Sequence, residues 1–246
     1  MFSVDDRAAL RDALIDDARR DASISGVALT GSSSTGAEDR WSDIDLAFGV
    51  ASGANRAALI AEWTERMYRD HDAVHHTDVM AGAALFRVFL LRNTLQVDLA
   101  FWPESEFGAI APTFRLVSGT ARERPAFPGP SAEPLIGMAW LHALHARSCI
   151  ARGKLWQAEY MISGLRDHVL ALACLRHGVP AVQGRGMDSL PADVTTPVAT
   201  ALVRSLDVAE LRRAFTSACE LLLAEIEAVD AALAARLSAP IRALAA

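Results

Sequence analysis

The chain has 246 residues, a formal net charge of −6 at pH 7 and 52% hydrophobic residues. This length allows one large domain or two modest ones with a substantial core. A nucleic-acid binder usually carries a basic patch, and the acidic sequence has no basic run, which argues against a nucleic-acid partner. No apolar run approaches the roughly 18 residues of a membrane span, so no membrane partner is expected.

The N-terminus and the cysteines bear on where the protein is located. Residues 1–21 are charged throughout and lack the apolar segment of a secretory signal, so we expect a cytoplasmic protein. Cys149, Cys174 and Cys219 are far apart in apolar, helical-looking sequence. We expect them to be small buried hydrophobic residues, and not a disulfide framework or a zinc site.

The first part of the chain mixes helix and strand patterns. Apolar spacing predicts amphipathic helices over residues 4–22 and 54–70, on either side of two short strands over 24–30 and 43–50. The stretch 31–42 is polar and contains glycine. Three further strands are predicted over 79–84, 85–91 and 95–102, and Arg92-Asn93-Thr94 is expected to form the hairpin turn between the last two.

The second part is predicted to be helical. Six of the ten prolines lie between positions 103 and 134, which suggests a connector. We therefore expect a sheet-containing domain over 1–105, a proline-rich connector over 106–134 and a helical domain over 135–246. Such segregation indicates an α+β fold. The predicted helices of the second part are 135–152, 154–177, 195–204 and 207–236.

Three aspartates stand in two of the predicted strands. Asp43 and Asp45 are separated by one residue, so both carboxylates project from the same face of a strand. Asp98 interrupts the alternation of another strand, and three carboxylates would meet if the two strands were neighbours. Like charges this close repel each other, and a divalent cation with a preference for oxygen ligands, such as Mg²⁺, removes the conflict. The pattern predicts a two-metal site.

A glycine-serine pair precedes the first two aspartates. Gly31 and Ser32 follow a predicted strand and are expected to open a helical turn. Free backbone N–H groups and the serine hydroxyl there could hold a phosphate, and glycine lets the backbone come close to a ligand.

Taken together, these motifs resemble those of the nucleotidyltransferase superfamily of DNA polymerase beta type. The matching stretches are GSSSTGAEDRWSDID, residues 31–45, and VDLAF, residues 97–101. The resemblance implies a mixed-sheet nucleotidyltransferase domain followed by an all-helical C-terminal domain. It also implies that Asp43, Asp45 and Asp98 are catalytic and bind Mg²⁺, that Asp98 orients the attacking hydroxyl, and that a nucleoside triphosphate, expected to be ATP, is the co-substrate.

The predicted helix over 154–177 carries polar residues that share one broad face: Glu159, Ser163, Arg166 and Asp167. Trp156 and Tyr160 are among the residues expected to mark its apolar side. The polar face is either a solvated surface or part of the active site. The chain also resembles antibiotic nucleotidyltransferases, and this resemblance implies that Glu159 is the general base and that Lys154 or Arg166 contacts a phosphate.

The expected reaction is attack of an acceptor hydroxyl on the α-phosphorus of the nucleotide, with release of pyrophosphate. Resemblance in size and order to resistance enzymes suggests a small-molecule acceptor, such as an aminoglycoside-like or lincosamide-like antibiotic. One alternative is an antitoxin-type adenylyltransferase that acts on a protein. Another is a nucleotide-binding regulator without turnover. The sequence leaves the oligomeric state open between a monomer and a homodimer.

Overall fold

A mixed six-stranded sheet organises the first half of the chain. The computed structural model describes residues 1–125 and 128–246, and the chain divides into two units, Met1–Phe127 and Pro128–Ala246. The sheet has the strand order β3-β4-β5-β2-β1-β6. Its strands are β1 (Ile24–Thr30), β2 (Ile44–Val50), β3 (Ala73–Ala81), β4 (Ala84–Leu91), β5 (Gln96–Pro103) and β6 (Phe114–Gly119). The central strands β2 and β5 are parallel, and the other neighbouring pairs are antiparallel.

One face of the sheet is covered by helices. The helices of this unit are α1 (Val4–Arg20), the short α2 (Gly31–Thr35) and α3 (Arg56–Asp70). Side chains of α1 and α3 pack with alternate residues of β2 and β5, among them Phe48 and Leu99. The large residues Trp63, Phe48 and Phe101 are fully buried there. We call this side the packed face.

The opposite side, which we call the alanine face, carries the intervening residues of the same strands. Ala28, Ala47, Ala84 and Ala100 form a small cluster with Trp102 and Phe107. Because successive side chains of a strand point to opposite faces, Asp45 and Asp98 belong to this side. The segment after β5 begins with a 3-10 turn, Glu104–Glu106, and brings Phe107 against the alanines.

Helices form the second unit. They are α4 (Ala132–Ala151), α5 (Leu155–Arg176), α6 (Ala192–Val198), α7 (Val208–Val229) and α8 (Ala231–Ala245). The core of the bundle is rich in alanine, which lets helices approach closely, and contains the buried Cys149 and Cys219. Cys174 is also buried, as predicted for all three cysteines. Arg176 of α5 forms a bidentate ion pair with Glu225 of α7, with nitrogen–oxygen distances of 2.7 and 3.0 Å.

The predicted α+β class is confirmed, with a mixed sheet in the first unit and helices in the second. Several boundaries differ. The helix expected over 207–236 is interrupted at Asp230, which has extended backbone and caps α8 by accepting a hydrogen bond from the N–H of Leu233. The helix expected over 195–204 is instead α6 and a 3-10 turn, Ala199–Ala201. The strand expected over 79–84 runs through a turn, because β3 ends at Ala81 and β4 begins at Ala84.

The stretch predicted as a connector contains strand β6. It pairs with β1 at the edge of the sheet, and none of its residues is fully buried, so its sequence lacks a clear apolar alternation. Residues 126 and 127, also within that stretch, lie outside the described residues. The domain boundaries of 1–105, 106–134 and 135–246 stay a prediction.

Within the described residues, none of the helices is both long and apolar enough to cross a membrane. The cytoplasmic location stays a prediction.

Candidate active site

Three carboxylates converge at one end of the two central strands. The parallel register of β2 and β5 places Asp45 directly opposite Asp98. Asp43 stands two residues before Asp45, just ahead of β2. One carboxylate oxygen from each of the three aspartates lies within 4.8 Å of the others, and all three residues are half-buried. The expected meeting of the three acids therefore occurs, because the strands that carry them are direct neighbours.

The charge of this cluster is poorly solvated. Burial is the main cause that raises the pKa of Asp98 to about 6; a hydrogen bond from Gln96 opposes the shift, and the nearby Asp43 adds to it. The Gln96 amide donates to Asp98 Oδ1 at 2.9 Å and to Asp43 Oδ2 at 3.2 Å. The amide thus links two carboxylates that would otherwise repel each other. A group that neutralises the cluster would lower the free energy of the ionised form.

Gly31 comes into close approach with this acidic cluster. Its φ of +58° lies in the left-handed region, which disfavours any residue with a Cβ atom. A Cβ at this position would stand 2.0 Å from Asp45 Oδ2. Glycine is therefore required at position 31 for two reasons, and the start of α2 lies directly against the Asp45 carboxylate.

The hydroxyl groups of α2 are used unequally. Ser33 Oγ donates to the carbonyl of Thr30 at 2.9 Å, and Ser34 Oγ donates to that of Gly31 at 2.8 Å. Thr35 makes the equivalent bond to the carbonyl of Ser32. For the half-buried Ser32 hydroxyl, no such bond to the rest of the described chain is found. Ser32 is therefore the hydroxyl of this turn that is available to a ligand.

Arg7 holds the loop between the glycine-serine pair and the aspartates. The side chain is only 2% exposed, and its guanidinium donates to the carbonyls of Asp39 and Ser42, the second at 3.1 Å. Arg7 Nε also lies 3.5 Å from Glu38 Oε1. Because Ser42 immediately precedes Asp43, the guanidinium fixes the backbone that presents the first carboxylate.

A partly open cavity of about 150 Å³ lies on the alanine face. Ala47 and Ala100 line it from the sheet, two residues after Asp45 and Asp98 on the same strands. Thr30, which directly precedes Gly31, also lines it. The cavity is therefore a neighbour of the acidic cluster on the same side of the sheet.

The remaining predicted site residues belong to the second unit. Glu159 Oε1 accepts a hydrogen bond from Ser163 Oγ at 2.7 Å, and Arg166 donates to Ser163 Oγ at 3.3 Å. Arg166 also pairs with its neighbour Asp167 at 2.9 Å. Lys154 is exposed and stands at the N-cap of α5. These contacts form a chain of polar groups along one helix, and the roles of Glu159, Lys154 and Arg166 stay predictions.

The predicted apolar side of α5 needs correction. Trp156 and Tyr160 were expected on the apolar side of the helix, but they are 77% and 67% exposed, because both lie outside the packed stripe of the bundle.

The sequence analysis did not identify Gln96 and Arg7 as residues of the site. A signal existed for Gln96, since it stands two residues before Asp98 on a strand and so shares its face. No local pattern marks Arg7, whose partners are about 30 residues away in the sequence.

No protein-family model matches the chain, and no curated protein matches it significantly. Among solved structures, the chain is similar to an aminoglycoside 6-adenyltransferase from Bacillus subtilis, with a TM-score of 0.43 and 12% sequence identity. The alignment covers 95% of this chain and 96% of that chain. A similarity of this size says nothing about the reaction or the acceptor of this chain.

Proposed function

We propose that the chain is a magnesium-dependent nucleotidyltransferase. It moves a nucleoside monophosphate, AMP from ATP, onto a hydroxyl of a small molecule and releases pyrophosphate. The observation that carries this proposal is the convergence of Asp43, Asp45 and Asp98 beside a turn whose first residue, Gly31, must be glycine. In an ordinary cluster of acidic residues on a protein surface, no neighbouring turn would need to approach a carboxylate so closely that only glycine fits.

The residues present fit a hard divalent cation. They offer three carboxylates, each with an oxygen within 4.8 Å of the others, and hard cations such as Mg²⁺ prefer oxygen ligands. Burial and the neighbouring Asp43 raise the pKa of Asp98, so a bound cation would stabilise its ionised carboxylate. When bound there, Mg²⁺ would neutralise charge on the phosphates and on the leaving pyrophosphate.

The chain's own groups position the reactants. The Ser32 hydroxyl and the free N–H groups at the start of α2 hold phosphate oxygens of the nucleotide. Asp98 orients the acceptor hydroxyl, whose oxygen forms the new bond to the α-phosphorus while the bond from that phosphorus to the pyrophosphate oxygen breaks. The hydroxyl proton passes to a carboxylate base, for which Glu159 is the candidate, and Lys154 or Arg166 contacts a phosphate. Most of the rate enhancement comes from positioning and charge neutralisation.

The acceptor class that we propose is a hydroxylated small molecule of the aminoglycoside or lincosamide kind, which would make the chain a cytoplasmic antibiotic-resistance enzyme. The alternatives are adenylylation of a protein and nucleotide binding without turnover. The presence of all three acids favours turnover over the last of these.

The test is pyrophosphate release from ATP, GTP, CTP and UTP with Mg²⁺, against a panel of aminoglycosides, lincosamides and candidate proteins. Asp43→Ala is compared with wild type, and Asp5→Asn, at an exposed position in the first turn of α1, is the matched control. We expect release that depends on one acceptor class, survives in Asp5→Asn and falls by on the order of 10³-fold in Asp43→Ala, since a catalytic metal supplies several kcal/mol. Magnesium-dependent nucleotide binding without turnover would support the regulator instead.

The base is tested separately with Glu159→Gln, next to Glu133→Gln on the exposed first turn of α4. Loss of a general base typically costs about 10²–10⁴-fold in kcat. We expect that loss only for Glu159→Gln, with the KM for ATP little changed. Equal rates in both variants would remove Glu159 from the mechanism and leave the metal site untouched.

A further inference from the structure

The cavity on the alanine face lies within a short distance of the acidic cluster. Ala47 and Ala100 line it, and both follow a carboxylate by two residues on a central strand. Because a strand rises about 3.3 Å per residue, the sheet side of the cavity begins roughly 7 Å from the Cα atoms of Asp45 and Asp98. A small molecule with a hydroxyl at the carboxylates could therefore reach the cavity.

The lining of the cavity is apolar. Phe86, Trp102 and Phe114 supply aromatic surface, and two threonines, Thr30 and Thr113, supply hydroxyls. Among the described residues, none that lines the cavity is charged. A volume of about 150 Å³ has room for a molecule the size of benzene.

Neither a nucleobase nor an ammonium group suits this lining. A nucleobase carries several donors and acceptors around its edge, and burying them without partners costs free energy. An ammonium group would lose its hydration without gaining a carboxylate inside the cavity. An alkyl or aromatic group, in contrast, would gain free energy from the removal of its surface from water.

We propose that this cavity is an acceptor subsite that binds a benzene-sized alkyl or aromatic group of the substrate. The inference rests on the proposed function and narrows it: the acceptor is amphiphilic, with an apolar substituent that reaches the cavity while its reacting hydroxyl lies at the carboxylates. An acceptor made only of cationic sugars would leave the subsite empty.

Direct binding of small probes tests the cavity without turnover. Benzene and its polar isostere pyrimidine are titrated by ligand-observed NMR into the full chain, without nucleotide or metal. Two variants reduce the cavity, Ala47→Leu from the sheet and Ala111→Leu from an exposed lining position. Ala61→Leu, on the exposed side of α3, is the matched control. Melting curves identify the variants that are folded.

We expect benzene to bind wild type and Ala61→Leu equally, and at least one folded cavity variant to bind it about tenfold more weakly, as added methyl groups occupy its volume. Pyrimidine should bind more weakly than benzene. Absence of benzene binding, tighter binding of pyrimidine, or unchanged binding in both folded variants would overturn the proposal.

Kinetics connect the cavity to the acceptor. With an acceptor that wild type uses, a cavity variant should raise the KM for the acceptor about tenfold and leave the KM for ATP within about twofold. A selective rise in the KM for ATP would place the nucleotide there and overturn the inference. If no acceptor supports transfer, the proposed function fails and the acceptor role fails with it. If transfer occurs and benzene does not bind, the subsite alone fails.

Discussion

The two faces of the sheet are built from the same strands and differ in nearly every property. On the packed face, Phe48 contacts Trp63 and Phe101 at ring-centroid distances of 4.8 and 5.6 Å, and all three rings are buried. On the alanine face, small residues lie beside two carboxylates and a cavity. The difference arises from the two-residue period of a strand, which lets one sequence specify a core on one side and a site on the other.

The packed face stabilises the fold, whereas the acidic cluster on the alanine face destabilises it. Close packing of large side chains on one face supports a cluster of poorly solvated acids on the other. Substitutions on the two faces should therefore have effects of different size and even of different sign.

The largest effect is expected from Phe48→Ala on the packed face. Removal of a fully buried ring leaves a large void, so the free energy of unfolding should fall by about 4 kcal/mol. Phe86→Ala, at the partly buried edge of the alanine-face cavity, should cost only about 1–2 kcal/mol. Urea unfolding followed by circular dichroism measures both. Equal losses would mean that the two faces contribute alike.

Arg7→Leu should cost roughly 3 kcal/mol, because Glu38 and two loop carbonyls lose a buried partner. Arg11→Leu is the matched control, since Arg11 also pairs with Glu38, at 2.8 Å, but is more exposed. It should cost less than about 1 kcal/mol. Thermal melts report the stability, and Mg²⁺ titration reports whether the loop before Asp43 is displaced. A similar loss for both arginines would contradict the anchoring role of Arg7.

A comparison of Gly31→Ala with Gly36→Ala distinguishes the effect of backbone strain from the effect of contact with the Asp45 carboxylate. Both glycines have positive φ, so each substitution should cost about 1–2 kcal/mol. A Cβ at Gly31 meets the Asp45 carboxylate, whereas a Cβ at Gly36 has no atom within 4 Å. We expect Gly31→Ala alone to weaken Mg²⁺ binding, as measured by calorimetry. Identical Mg²⁺ affinities in the two variants would show that the contact between Gly31 and Asp45 does not affect the metal site.

The smallest effect is a gain in stability from Asp98→Asn without metal. The pKa of Asp98 is about 6, against an ordinary value of 3.8, so the folded protein retains the proton to higher pH than the unfolded chain. The free energy of unfolding should therefore fall as pH rises from about 4 to 6 and stay lower above that range. Asp98→Asn removes this loss. Because solvent screens the half-buried carboxylate and reduces the full effect of the shift, the variant should be more stable than wild type by roughly 1 kcal/mol at pH 7 in EDTA.

Melting curves between pH 4 and pH 8 in EDTA measure this gain. The two proteins should agree near pH 4 and diverge above it. Added Mg²⁺ should raise the melting temperature of wild type more than that of Asp98→Asn, because ligands that bind the folded state stabilise it. A variant less stable than wild type at pH 7 in EDTA would show that the carboxylate contributes packing or hydrogen bonds that outweigh its desolvation.

Features that depend on local spacing could be predicted from the amino-acid sequence. Alternation along residues 43–50 predicted that the carboxylates of Asp43 and Asp45 project to one side, and both belong to the cluster of three acids. Glycine at position 31 could also be interpreted locally, since only the backbone of α2 and the next strand are involved. Features of this kind can be predicted because short-range geometry fixes the direction of a side chain.

Which distant residues meet became known from the fold alone. The parallel pairing of β2 with β5 brought Asp98 opposite Asp45, the fold carried Arg7 to the loop before Asp43, and packing of the segment after β5 left the cavity beside the alanines. Exposure of Trp156, which apolar periodicity had placed inside, was likewise set by the arrangement of helices in the bundle. Contacts between residues far apart in sequence depend on the packing of the whole unit, which no local pattern encodes.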